Sequence, residues 1–123
     1  MHASLRSILI FVSDVDRCAA WYATHLGFRR VPSTHIPGAW HEVELGAGAT
    51  IAFHQAFGEN GPLSAPTGSP ANPYKLVFQV ADVASARAEL AGKGVQMFEL
   101  VSEGGARRCD GLDCEGHRFQ LTE

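Results

Sequence analysis

Ser7-Ile8-Leu9-Ile10-Phe11-Val12, then Asp14, then an apolar helical face that closes at Gly27, is the stretch whose reading decides the fold. The β-branched apolar run predicts a buried strand. Asp14 supplies the carboxylate of a helix N-cap, and Val15, Cys18, Ala19, Tyr22 and Leu26 recur at helical spacing to give one apolar face. Gly27 suits the left-handed position at which a helix stops. The same grammar returns at Leu76-Val77-Phe78-Gln79, Asp82, the face Val83, Ala86 and Leu90, and Gly94. Strand-like segments follow each helix: 28–31, 39–45 and 50–57 after the first, then 95–101, 106–112 and 118–122 after the second. Gly46-Ala47-Gly48 predicts a hairpin turn, 32–38 a loop, and Asp113-Cys114-Glu115-Gly116 a further turn. Residues 58–73 are dense in Gly, Pro, Ser and Asn and read as a linker or exposed loop. One four-stranded sheet with one helix leaves a face bare, whereas two such units can enclose a hollow. The expectation is therefore a single α+β domain of two βαβββ modules, 5–57 and 74–122, whose curved mixed sheet surrounds a central pocket.

Composition narrows the function classes. The chain has 123 residues, 46% hydrophobic and 19% charged, with a formal net charge of −3 and no basic stripe. That disfavours nucleic acid and anionic membranes as partners. No run approaches the ~20 apolar residues that span a bilayer, and the start, Met1-His2-Ala3-Ser4-Leu5-Arg6, does not read as a signal peptide. Cys18, Cys109 and Cys114 are expected to be reduced thiols in a cytoplasmic protein. A chain this short buries roughly two-thirds of its unfolded surface, so an oligomer interface would help it.

Two motifs carry a family resemblance. Ser13-Asp14-Val15-Asp16-Arg17 through Trp21-Tyr22 to Leu26-Gly27-Phe28 resembles the opening segment of vicinal oxygen chelate proteins, the glyoxalase/bleomycin resistance/dioxygenase superfamily. Asp113-Cys114-Glu115-Gly116-His117-Arg118-Phe119-Gln120-Leu121 resembles their closing segment. It departs from that pattern at Cys114, His117, Gln120 and Gly111. The resemblance covers essentially the whole chain. It implies a pocket for a small molecule and leaves the chemistry open.

In the family's metalloenzymes a divalent ion is held by His, Glu or Gln from four strands. Carried over, those positions fall on Ser7, Ala52, Lys75 and Gln120, of which only Gln120 can coordinate. The resemblance thus implies no metal cofactor. The alternative is a rearranged centre with a divalent metal ion on His54 and Gln120, with Glu42 or Glu44 beside His54. Cys109, Asp110, Asp113, Cys114 and His117 have no zinc spacing and are expected to form an exposed turn.

Strand alternation gives the wall of the hollow. Ser7, Leu9, Phe11 and Ser13 should point in from the first strand, and Thr50, Ala52, His54 and Ala56 from the fourth. Lys75, Val77 and Gln79, with Arg118 and Gln120, should do so in the second module. The candidate ligand-binding residues are Ser7, Phe11, Trp40, His54, Lys75, Arg107, Arg118 and Gln120. Trp40 would stack on a planar ligand, Lys75 and Arg118 would meet an anionic group, and Arg107 would make either a salt bridge or a substrate contact. Trp21 reads as packing or a dimer contact. His54 is the candidate catalytic base.

The preferred reading is a metal-free binding protein of the bleomycin-resistance type, a homodimer that sequesters a drug or metabolite. The rival is a metal-dependent lyase, isomerase or dioxygenase that uses His54. A third is a metal-free enzyme with His54 as base and Lys75 stabilising an enolate.

Overall fold

The computed structural model describes residues 1–58, 61–62 and 74–123. Most of the expected linker 58–73 lies outside them. The chain forms two compact units, Met1–Pro66 and Thr67–Glu123, and each carries a βαβββ module with its own four-stranded mixed sheet.

In the first unit β1 (Ser7–Val12) leads into α1 (Val15–Leu26), followed by β2 (Arg29–Ile36), β3 (Trp40–Gly46) and β4 (Ala49–Gln55). The sheet order is β1-β4-β3-β2, with β1 parallel to β4 and the remaining pairs antiparallel. Both helix signals read from sequence are present. The Asp14 carboxylate accepts the Arg17 N–H at 3.0 Å, and Gly27 takes the left-handed conformation at φ 73°. Val12, Val15, Cys18, Ala19, Tyr22, Val43, Ile51 and Phe53 are buried between α1 and one face of this sheet.

One expectation needs correction here. Residues 32–38 are not simply a loop, because β2 continues to Ile36. Its register against β3 slips between Val31 and Ile36. An edge strand needs no N–H on its outer side and so tolerates Pro32, and the irregularity hides the alternation that sequence reading depends on. Beyond β4, β5 (Phe57–Gly58) and β6 (Gly61–Pro62) pair as a two-residue ladder.

The second unit repeats the plan with β7 (Leu76–Gln79), α2 (Val83–Gly92), β8 (Met97–Glu103), β9 (Ala106–Leu112) and β10 (Arg118–Thr122), in the order β7-β10-β9-β8. Asp82 caps α2 through the Ser85 N–H at 2.7 Å, and Gly94 has φ 85°. The eighth strand starts two residues later than the apolar run, because the Val95 N–H is still tied to the Leu90 carbonyl at the helix exit.

Gly111, which departs from the family's apolar pattern, is explained by packing. It lies opposite Phe119 and Met97 in the sheet. A methyl group built on it would stand 2.6 Å from both Met97 Sδ and Phe119 Cζ. Those two side chains already fill the space that a residue at 111 would occupy. Gly111→Val is therefore expected to destabilise the second unit by about 2 kcal/mol through overpacking, read as a lower urea midpoint by circular dichroism. An unchanged midpoint would mean that Phe119 moves aside freely.

Candidate functional site

Each sheet has one face against its helix and one open face, and pairing register assigns the side chains. In the first unit Leu9, Ala52 and Glu42 align across neighbouring strands, as do Phe11, His54 and Trp40. The residues facing α1, among them Val12, Val43, Ile51 and Phe53, are fully buried, whereas Phe11 remains 54% exposed. Ser7, Leu9 and Phe11 of β1 and Thr50, Ala52 and His54 of β4 therefore share the face away from α1, while Ser13 and Ala56, also expected there, lie beyond these strands.

His54 sits in an aromatic surround. The Phe11, Trp40 and Phe57 rings approach it edge-on at 5.4, 5.7 and 6.3 Å between centroids. Its Nδ1 lies 2.8 Å from the Gln55 carbonyl oxygen. A carbonyl only accepts, so Nδ1 carries the proton in this hydrogen bond.

Trp40 is fixed from beneath by Glu42, a carboxylate only 5% exposed. The Trp40 indole N–H and the Thr34 hydroxyl donate to Glu42 Oε2, the former at 3.1 Å, and the Thr50 hydroxyl donates to Oε1 at 2.7 Å. Burial pushes this carboxyl up. The hydrogen bonds from Thr34, Thr50 and Trp40, with the nearby Arg6 charge, outweigh it and hold the group below the usual carboxylate range.

On the open face of the second unit, Gln120 lies opposite Asp110 and Val77. Asp110 takes an ion pair from Lys75 at 3.2 Å and another from Arg118 at 3.3 Å. The Arg118 guanidinium also covers the Phe98 ring at 4.3 Å. Lys75, Arg108, Asp110 and Arg118, with Phe98 and Val101, line a cleft of about 460 Å³, a size that suits a small molecule. Lys75 and Arg118 share the Asp110 carboxylate here, with Glu99 also in the lining and Arg108 paired to Glu103.

Arg107 makes the salt bridge that is one of its two expected roles: it pairs with Glu123 and Asp82 beside the start of α2. One expectation is corrected: the segment 109–117 is not an exposed turn, because Cys109 and Asp113 are buried. Asp113 Oδ1 accepts the N–H groups of Glu115 and His117, each at 2.9 Å, which organises the turn before β10.

The metal positions implied by resemblance do not fit a divalent ion. Ala52 has no donor atom, and the Lys75 ammonium is engaged by Asp110. The alternative partners of His54 are committed as well. Glu42 already accepts three hydrogen bonds, and Glu44 binds the Arg29 guanidinium at 2.7 Å. Among the described residues, the one cluster with metal-ligand composition is Asp16, His35 and His41. Sequence reading missed it because Asp16 passes for a helix-dipole residue and His35 lay in the presumed loop. The Gly38 N–H holds the Asp16 carboxyl below its usual range; burial opposes this, and His35 and His41 add to it.

The three cysteines form no disulfide, and Cys18 and Cys109 are buried. Burial pushes the Cys109 thiol up, which disfavours a nucleophilic thiolate. Among the described residues no helix is long and apolar enough to cross a membrane.

The family model of the Glyoxalase/Bleomycin resistance protein/Dioxygenase superfamily matches residues 4–121. Solved structures agree over the full length. A member of that superfamily from Sphaerobacter thermophilus DSM 20745 is 25% identical, with a TM-score of 0.76, covering 100% of this chain and 98% of that one. An antibiotic-binding protein from Streptomyces sp. CB03234 is 22% identical, with a TM-score of 0.71 and coverage of 98% and 94%. A lactoylglutathione lyase from Agrobacterium tumefaciens is 14% identical, with a TM-score of 0.74 and coverage of 99% and 94%. No curated protein matches the sequence.

Proposed function

Because the chain belongs to the glyoxalase/bleomycin resistance protein/dioxygenase superfamily, we propose that it is a metal-independent binding protein that sequesters a planar aromatic small molecule on the open face of its first sheet. The observation that carries this reading is the aromatic surround of His54, with Phe11 and Phe57 more than half exposed on an open sheet face. Rings presented this way offer edges and faces to a flat ligand at little entropic cost. On the open face of the second unit, Lys75 and Arg118 beside Asp110 would suit an anionic group, with Gln120 as a neutral polar neighbour, and Ser7 is the neutral polar contributor of the first unit. His54 then acts as a hydrogen-bond acceptor through Nε2 rather than as a base. The antibiotic-binding structural neighbour is consistent with the binding of a small molecule. The same reading includes a cytoplasmic homodimer, favoured by a short chain with exposed apolar side chains such as Leu9 and Phe11.

The test is a panel of planar aromatic acids and their neutral analogues, followed by tryptophan emission and thermal shift. A binder present at ~100 times its Kd should raise stability by about 2.7 kcal/mol. Trp40→Ala should weaken binding roughly tenfold, the order expected for an aromatic contact. Recovery of the ligand chemically unchanged is the expected end point. Conversion of the ligand, or equal binding by Trp40→Ala, would overturn the proposal.

A further inference from the structure

On the side of the first sheet that packs against α1, away from His54, two histidines and an aspartate converge. Asp16 lies in the first turn of α1, His35 near the end of β2, and His41 second in β3. The turn between the two strands is closed by the Ala39 N–H on the Ile36 carbonyl at 3.0 Å, with Gly38 at φ 72°. This brings the rings of His35 and His41 into a stack 3.9 Å apart, inclined by 24°. His35 Nε2 and His41 Nδ1 both address the same oxygen, Asp16 Oδ1, at 2.6 and 2.9 Å.

From this convergence we propose that Asp16, His35 and His41 bind one divalent transition-metal ion, a site independent of the ligand-binding face. Three features support it. The candidate ligand atoms all lie within 4.8 Å of one another, and neighbouring ligands on an ion with bonds of about 2.1 Å stand about 3 Å apart. Two imidazoles with one carboxylate favour zinc, cobalt, nickel, copper or ferrous iron over calcium or magnesium. The Gly38 N–H donates to Asp16 Oδ2 at 3.0 Å, so the carboxylate is oriented from behind with Oδ1 directed at the histidines. His41 is nearly buried and anchors the group, while Asp16 and His35 keep 43% and 31% of their side-chain surface exposed. Water therefore has access to complete the coordination shell.

The experiment uses tag-free, full-length protein stripped with chelator and titrated with Co(II), followed by visible absorption, and with Zn(II) by calorimetry. One equivalent per chain is expected. His35→Ala and Asp16→Asn, both at partly exposed positions, should each weaken binding at least about tenfold, while His2→Ala leaves it unchanged. Paramagnetic shifts from Co(II) in the unsubstituted protein should fall on the His35 and His41 ring resonances and spare those of His54. No uptake, equal affinity in His35→Ala and Asp16→Asn, or shifts centred on another histidine would overturn the assignment and leave a hydrogen-bonded triad.

Discussion

Phe53→Ala is expected to cost about 4 kcal/mol, a large share of the 5–15 kcal/mol by which a domain is usually stable. Phe53 is fully buried, lies between Ile10 and His41 across the sheet, and meets the Tyr22 ring at 5.1 Å. It joins the centre of the sheet to the middle of α1. Neighbours held by hydrogen-bonded strands cannot collapse into the space its ring leaves, so a cavity penalty adds to the lost burial. Phe53→Leu keeps most of the volume and should cost less than half as much. Both tryptophans, Trp21 and Trp40, lie in Met1–Pro66, so their emission in a urea titration reads this unit alone. A loss below about 1 kcal/mol would show that the helix and sheet are not held together here.

Glu42→Ala should cost about 3 kcal/mol, the order expected when a buried, charge-assisted hydrogen-bond network loses its acceptor. The Thr34 and Thr50 hydroxyls and the Trp40 indole would then have no carboxylate to meet. The effect should depend on pH in a defined direction. The folded-state pKa lies below the ordinary 4.5, so the unfolded chain binds the proton more readily. The carboxylate's contribution is therefore complete above that ordinary value and fades as pH falls through the folded-state pKa. The gap in stability between the parent protein and Glu42→Ala should be widest near neutrality and narrow in acid. A gap that widens in acid would contradict the network. The same variant frees Trp40, and its weaker hold on a planar ligand would separate the role of Glu42 from that of packing.

Much of this architecture is legible in sequence because its signals are local. Asp14 with Gly27, and Asp82 near Gly94, mark two helices by rules that act within a turn. The alternation of Leu9 and Phe11, or of Arg118 and Gln120, follows from strand geometry alone. What stayed hidden depends on register between strands. Asp110 meets Lys75 and Arg118 only because β9 pairs with β10 in one particular alignment. A one-residue slip would turn Asp110 to the helix side. Arg107 faces the α2 side for the same reason. Glu42 looks like an ordinary strand glutamate until Thr34, eight positions earlier, is brought over it by the irregular edge of β2. The Asp16, His35 and His41 group needs a helix start and a strand turn to meet, which no short motif encodes.

In each module the opening strand lies parallel to the closing one, Ser7 beside Thr50 and Leu76 beside Phe119. A ribosome therefore releases an apolar ribbon long before its mate exists. The antiparallel partners between them can zip up early by short-range closure, whereas the first ribbon must wait until its module is nearly all made. The slow event in assembling each half is then the return of its beginning to its end, and that interval is when the nascent chain most needs shielding from its neighbours.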